Sequence, residues 1–355
     1  MRSFDKTRPF IVATMLALVF ATSSAQDPLA VAPSTELPAG SFSTVIAPVP
    51  ALAAEALPPP LSPPRFVLLA PSVRQGDPVF AEIVSMERLS HVDFELRDAR
   101  GALLSRGRVF ALDAKGKGSR WGALAGLSWD VEAGRAEARV SGLQAGQSFV
   151  VSVPILIEAR KFALEDIPLD KANTEIRAVP DPQKTAEALA IQAIYARVDQ
   201  GELWASLPFV APVGDARRSA GFGDRRRFLY AGGGSDSAWH SGIDFAVPVG
   251  TPVHAPAAGR VLFSGMRIVT GYTMVIEHDP GLYSILMHLS KGIAAEGSLV
   301  KAGEVVALSG FTGLATGPHL HWEVRAGEVA VDPDFFVAAR TTPFPWLDTA
   351  VPPGR

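Results

Sequence analysis

The stretch GPHLHWEV (residues 317–324) sets two histidines one residue apart in what reads as a β-strand. Side chains at i and i+2 of a strand point to the same face. His319 and His321 therefore aim two imidazoles at one spot, with Glu323 beside them, while Leu320, Trp322 and Val324 face a core. A buried, hydrogen-bonded pair of imidazoles fits this pattern, and so does a site that needs two of them. The remaining histidines discriminate, because six of the chain's 7 lie between His240 and His321.

In HSGIDF (240–245), His240 and Asp244 are four apart, with Gly242 between them. In extended chain both point the same way, and the glycine leaves space for a third object. One histidine of HLH added to this pair gives two imidazoles and one carboxylate. That set suits zinc with its fourth position open to water. The same ligand types form the facial triad of non-haem iron oxygenases, and spacing alone does not separate the two. SILMHLS (284–290) supplies His288. On strict alternation Ser284, Leu286 and His288 share one strand face, and Ile285, Met287 and Leu289 the other. With His240, Asp244 and His321 taken as metal ligands, His319 and His288 are two uncoordinated imidazoles beside the metal. One can take a proton from an attacking water and the other can stabilise a developing oxyanion, as hydrolysis requires. An oxygenase has less use for that arrangement. The sequence contains no HExxH, so a glutamate base on a zinc-binding helix is not available. His254, in a turn-rich segment, and His278, at a strand end, read as structural groups bonded to backbone. Gly310, Gly313 and Gly317 read as loop glycines that let backbone approach a groove.

These segments resemble the lysostaphin-type (LytM-like) zinc metallopeptidases, a peptidoglycan endopeptidase family. The resemblance runs from SAGFGDRR (219–226) through HSGIDFAVPVGTPVHAPAAGRV (240–261) and YSILMHLSKGIAAEGSLVKAGEVVALSGFTGLATGPHLHWEVR (283–325) to VDP (331–333), about a third of the chain. It implies one zinc ion per chain, bound by His240, Asp244 and His321, with His288 and His319 as the catalytic pair. It also implies a compact, all-β peptidase domain of antiparallel sheets (a duplicated hybrid motif) with the metal on the floor of a groove. Two positions depart from the pattern. Leu286 stands where many relatives carry a tyrosine, and on strict alternation it faces the site. Thr273 stands where relatives often have a second glycine. Both bear on efficiency and substrate choice, not on the metal. Some relatives have lost ligands and act only as activators of other wall hydrolases, whereas this chain keeps all five residues. The expected activity is hydrolysis of peptide bonds in peptidoglycan stems or cross-links through a zinc-activated water. The alternative is a non-catalytic wall-binding or hydrolase-activating protein that retains the fold. The bond cut, the division of labour between His288 and His319, and any wall-remodelling partners stay open.

Outward from this region the chain reads as mainly β. At 355 residues it is long enough for two domains, each with a core of its own. Arg2, Lys6 and Arg8, the apolar run FIVATMLALVFA and small residues at Ser23 and Ala25 read as a signal peptide over 1–25. The run is shorter than the roughly 20 residues that span a bilayer. Export to the periplasm or cell envelope, or outside the cell, is the expectation, with no membrane span after cleavage. A Pro/Ala-rich linker follows over 26–65. Short alternating strands with turn signals predict an immunoglobulin-like β-sandwich over 66–160. A linker over 161–207 carries a connecting helix, with Asp181 as cap, Pro182 at the first turn, Ile191, Ile194 and Val198 as its stripe and Gly201 at its end. The peptidase domain spans 208–338 and a tail 339–355. A net charge of -3 gives no footprint for nucleic acid or anionic lipid. With 0 cysteines the chain has no disulfide, thiol nucleophile or thiolate ligand.

Overall fold

The computed structural model describes residues 61–112, 119–197, 203, 205 and 207–338. The segments read as signal peptide (1–25) and tail (339–355), and most of the one read as linker (26–65), lie outside them. Among the described residues no helix is long and apolar enough to cross a membrane.

The N-terminal half is a sandwich of two sheets. One has the order Arg65–Leu68, Pro78–Ser85, Ser119–Gly126, Arg108–Ala111. The other has the order Ser72–Arg74, Gln147–Glu158, Gly134–Gln144, Leu89–Asp98, Leu103–Arg106. Alternation builds the core: in LSHVDFELRD, Val92, Phe94 and Leu96 turn inward and meet Ile83, Val140 and Ile155. The chain changes sheets at Gly107. A Cβ there would lie 2.3 Å from the Phe94 ring and 2.8 Å from the Leu124 carbonyl, so only glycine fits the crossing. The strand Ser119–Gly126 escapes the pattern of alternating polarity because both its faces are covered. Ala123 and Ala125 enter the sandwich core, while Leu124 joins a second core on the other side.

That second core belongs to the C-terminal half, so the two halves are not separate hydrophobic bodies. Phe80, Phe110 and Leu124 of the sandwich lie in one buried cluster with Trp322, Val331 and Phe336. Phe80 stacks on Phe335 with ring centroids 6.0 Å apart. The C-terminal half is built on an antiparallel sheet ordered Arg218–Ala220, Gly242–Phe245, Leu320–Ala326, Leu282–Leu289, Gly271–Asp279, Gly259–Arg267, Leu299–Val300, with Val329–Val331 also paired to Leu320–Ala326. Its core face carries Ile243, Phe245, Met274, Ile276, Leu286, Leu320, Trp322 and Val324.

The opposite face is covered in part by the segment read as a linker. Helix Pro182–Tyr195 is capped by Asp181, which accepts from the Gln183 N–H at 2.7 Å, and begins with proline. It ends at Tyr195, earlier than Gly201 predicts; Val198 and Gly201 lie outside the described residues. Ile191 and Tyr195 pack on Val275, Tyr283, Ile285 and Met287 of the sheet, and burial of a residue such as Ile191 contributes about 1.5–3 kcal/mol. Two further elements appear in the 161–207 stretch. Strand Leu164–Pro168 pairs in parallel with Arg225–Leu229, which forms a hairpin with Ser235–Trp239. Helix Lys171–Ala178 is capped by Asp170.

Candidate metal centre and histidine pair

The site lies on the helix-bearing face of the sheet, at the junction of three adjacent strands. In the ladder Asp244 stands opposite His321, and His321 stands opposite Met287. His321 and Glu323 project to one face, and Leu320, Trp322 and Val324 are fully buried on the other, as the alternation of HLHWEV predicts. His240 precedes the Gly242–Phe245 strand, and its backbone is pinned by exchange with Asp224 and Gly223. The object for which Gly242 leaves space is His321 itself. A Cβ on residue 242 would sit 2.8 Å from His321 Nε2 and 2.3 Å from the Trp322 carbonyl oxygen.

His240 Nε2, Asp244 Oδ1 and His321 Nδ1 form a small triangle with sides of 3.0, 2.9 and 2.8 Å. His240 Nδ1–H donates to the Gly221 carbonyl at 2.6 Å, which fixes its tautomer and leaves Nε2 as a lone pair. A lone pair facing a carboxylate oxygen and a second imidazole nitrogen is tolerable only with a proton or a cation between them. Two nitrogens and one oxygen at this spacing suit a divalent cation at zinc–ligand distances of about 2.0–2.2 Å. The donor set therefore fits a metal. The three residues are buried, and burial pushes the His240 pKa down. For Asp244 burial pulls upward, but the hydrogen bonds from His240 and His321 prevail and hold the carboxyl well below its ordinary range. His321 is raised to about 9, because Asp244 and Glu323 outweigh its burial. Its Nε2 has no hydrogen-bond partner and lies 3.7 Å from Glu323 Oε2. Glu323, also buried, accepts from Ser241 Oγ at 2.9 Å and pairs with Arg325.

His288 reaches the cluster by a departure from strand geometry. The ladder pairs Met274 with Leu286 and Tyr272 with Leu289, so Met287 and His288 together oppose the single residue Thr273. His288 has φ of 58°, left-handed backbone in a non-glycine residue. Such a bulge re-aims a side chain. It brings His288 toward His319, with ring centroids 4.6 Å apart, and within 6.3 Å of His321. Strict alternation is thereby broken and one expectation is overturned. Leu286 does not face the site; it is fully buried in the core cluster with Trp322, and Met287 takes the site side.

The two remaining imidazoles are anchored alike. His288 Nδ1–H donates to the Thr312 carbonyl and His319 Nδ1–H to the Gly317 carbonyl, each at 2.8 Å. Each keeps Nε2 as its free ring nitrogen, and that of His319 lies 3.9 Å from Asp244 Oδ1. Burial and the neighbouring imidazoles lower His288 to about 3, and burial lowers His319, so both are neutral near pH 7 with Nε2 as a lone pair. Gly310 and Gly313 make the close approaches expected of them, Gly310 against the His288 carbonyl and Gly313 against Gly271. Gly317 has open space and no such need. His254 and His278 bond backbone carbonyls of Pro212 and Ala258, away from the cluster.

One participant is absent from the reading of the sequence. Arg226 Nη2 donates to Asp244 Oδ2 at 2.5 Å. The signal is present in GDRRRF, since in a strand of three arginines the middle one must face the other way.

Comparison with known proteins places these residues in a family context. The model for Peptidase family M23 matches residues 238–333. A DD-carboxypeptidase/endopeptidase of Neisseria meningitidis is 45% identical over 94 residues, 26% of this chain and 22% of that protein. A peptidoglycan DD-endopeptidase of Vibrio cholerae is 38% identical over 123 residues, 34% of this chain and 28% of that protein. The chain thus spans about a quarter of the length of these relatives. The solved catalytic domain of the antimicrobial peptidase lysostaphin from Staphylococcus simulans is 31% identical, covering 35% of this chain and 94% of that one at a TM-score of 0.30.

Proposed function

We propose that this chain, whose residues 238–333 match the model of Peptidase family M23, is an exported zinc metalloendopeptidase acting on the peptides of bacterial peptidoglycan. The observation that carries the reading is the convergence of five side chains: three donors within 3.0 Å of one another, and two anchored neutral imidazoles beside them. His240, Asp244 and His321 are the ligands of one zinc ion. When bound, the ion lowers the pKa of its water toward neutrality and polarises the scissile carbonyl.

The chain's own groups do the rest. With Nδ1–H held by a backbone carbonyl, each of His288 and His319 presents Nε2 to the cluster and cannot turn its other nitrogen inward. One accepts the proton of the nucleophile and returns it to the leaving amine. The other takes up the water's second proton at Nε2 and, so protonated, donates a hydrogen bond to the oxygen that gains charge. The names of the relatives, DD-carboxypeptidase/endopeptidase and DD-endopeptidase, favour bonds between D-residues in stems or cross-links as the substrate. Export rests on the N-terminal signal pattern. The upstream sandwich is read as immunoglobulin-like: its 4-stranded and 5-stranded sheets, with the first strand pair split between them, support that assignment.

The test is digestion of purified sacculi with the mature protein, with mass spectrometry of the released muropeptides. Peptide-bond cleavage that stops on chelation and returns with zinc is expected. Intact sacculi in the presence of zinc-loaded protein would refute hydrolysis and leave the non-catalytic alternative.

A further inference from the structure

We propose that Arg226 is a positioning residue for the metal-binding carboxylate, and that Glu165, supplied by the upstream 161–207 segment, steadies it. The proposal rests on the reading of His240, Asp244 and His321 as a cation site. Asp244 divides its two oxygens: Oδ1 faces His240 Nε2 at 3.0 Å and His321 Nδ1 at 2.8 Å, and Oδ2 receives Arg226 Nη2 at 2.5 Å. A carboxylate held only at Oδ1 can rotate and offer either oxygen, or both, to a cation. A guanidinium fixed on Oδ2 removes that freedom and leaves a single donor aimed at the imidazoles.

The local structure shows that this is no incidental surface contact. Arg225–Leu229 is a strand in which Arg225 and Arg227 point to solvent; Arg225 lies over Trp239, and Arg227 pairs with Asp166. Arg226 points inward, with a side chain 16% exposed, onto a carboxylate that is 7% exposed. Its Nε is buried without a hydrogen bond, 3.6 Å from Glu165 Oε2. Glu165 is the direct register partner of Arg226 in the parallel pair that docks Leu164–Pro168 against this strand. The order runs from Glu165 through Arg226 to Asp244, so a strand outside the matched region 238–333 reaches the candidate metal centre through two side chains.

The consequence is measurable in metal binding without any turnover. Zinc affinity is read by competition with a chromophoric chelator, and site geometry by the visible spectrum of the cobalt-substituted protein. Arg226→Ala is expected to weaken zinc binding about 10- to 100-fold. It should also lower the cobalt absorption intensity, as a freed Asp244 offers both oxygens and the coordination number rises. Arg226→Lys, which keeps the charge but not the fork, should recover part of the affinity. Glu165→Gln should cost at most about fivefold, the scale of one exposed ion pair. Should Arg226→Ala fail to fold, Arg226→Gln and Arg226→Lys carry the same two readouts. Unchanged affinity and an unchanged cobalt spectrum in folded Arg226 variants would overturn the proposal. A lower melting temperature alone, with both readouts intact, would also overturn it, reducing Arg226 to a structural partner. Failure of the wild-type protein to bind zinc or cobalt at all would instead strike down the reading of the site.

Discussion

The central sheet buries imidazoles on both of its faces, and the two faces treat them differently. On the core face His278 is wholly satisfied. Its Nδ1–H donates to the Ala258 carbonyl at 2.9 Å, Ser284 Oγ–H donates to its Nε2 at 2.8 Å, and Trp322 Nε1–H closes the chain on Ser284 Oγ at 3.1 Å. On the other face His240, His288 and His319 each spend one nitrogen on a backbone carbonyl and turn the other toward shared space. Both environments are buried, so burial does not distinguish them. The difference is valence: His278 uses both ring nitrogens, whereas each of the other three keeps one turned toward its neighbours.

The sharpest break comes from the triangle. Asp244→Ala or His321→Ala removes one corner, leaving too few donors to hold the cation. Metal content by elemental analysis and lysis of sacculi should both fall to background. Lysis that persists in a metal-free variant would show that the open nitrogens serve some other chemistry. Next come His288→Ala and His319→Ala, expected to reduce turnover about 10²- to 10⁴-fold, the range of general acid–base catalysis. Zinc content should stay at one per chain in both. Loss of metal from either would mean that the anchored pair belongs to the ligand set.

The closed face makes a prediction about pH. Burial takes the His278 pKa from its ordinary 6.5 to about 4. As pH falls the unfolded chain takes up this proton first, so the stabilisation is complete above 6.5 and is lost between about 6.5 and 4. The whole effect is about 3 kcal/mol. Urea midpoints of the wild-type protein should therefore decline across that window. His278→Gln, less stable at pH 7, should show a shallower decline. Equal slopes for the two proteins would show that His278 is not held neutral by its surroundings.

How far the sequence alone reveals this arrangement depends on how far each element obeys a period. HLHWEV obeys period two without interruption, and the burial of Leu320, Trp322 and Val324 follows directly. The sandwich strands with one wet face read equally well. Ser119–Gly126 does not, because its second face packs on the C-terminal half and its small apolar residues carry no alternation. Leu164–Pro168 hides inside a stretch that reads as linker, since LEDIP is an exposed edge strand of charged residues with a proline. GDRRRF sets Arg226 apart from its two neighbours by alternation, but its pairing with Asp244 is not legible there, because the packing of that strand beside Asp244 is tertiary. The five convergent residues are legible through motif order, while the rotation that brings His288 among them is not.

That rotation leads to the smallest predicted effect. Alternation along SILMHLS puts Leu286 with His288 on the site face, and a tyrosine restored at 286 would then add a hydroxyl to the groove. The bulge at Met287 and His288 reverses this, leaving Leu286 fully buried against Trp322 in the core. Leu286→Tyr therefore adds volume and a hydroxyl to a packed interior. It should destabilise the fold by about 1–3 kcal/mol, as overpacking does. Zinc affinity and the pH profile of hydrolysis should be unchanged, since the five site residues are untouched. A variant of undiminished stability with altered muropeptide preference would mean that position 286 looks into the groove after all. The left-handed turn at His288 would then not be what carries that imidazole to its partner.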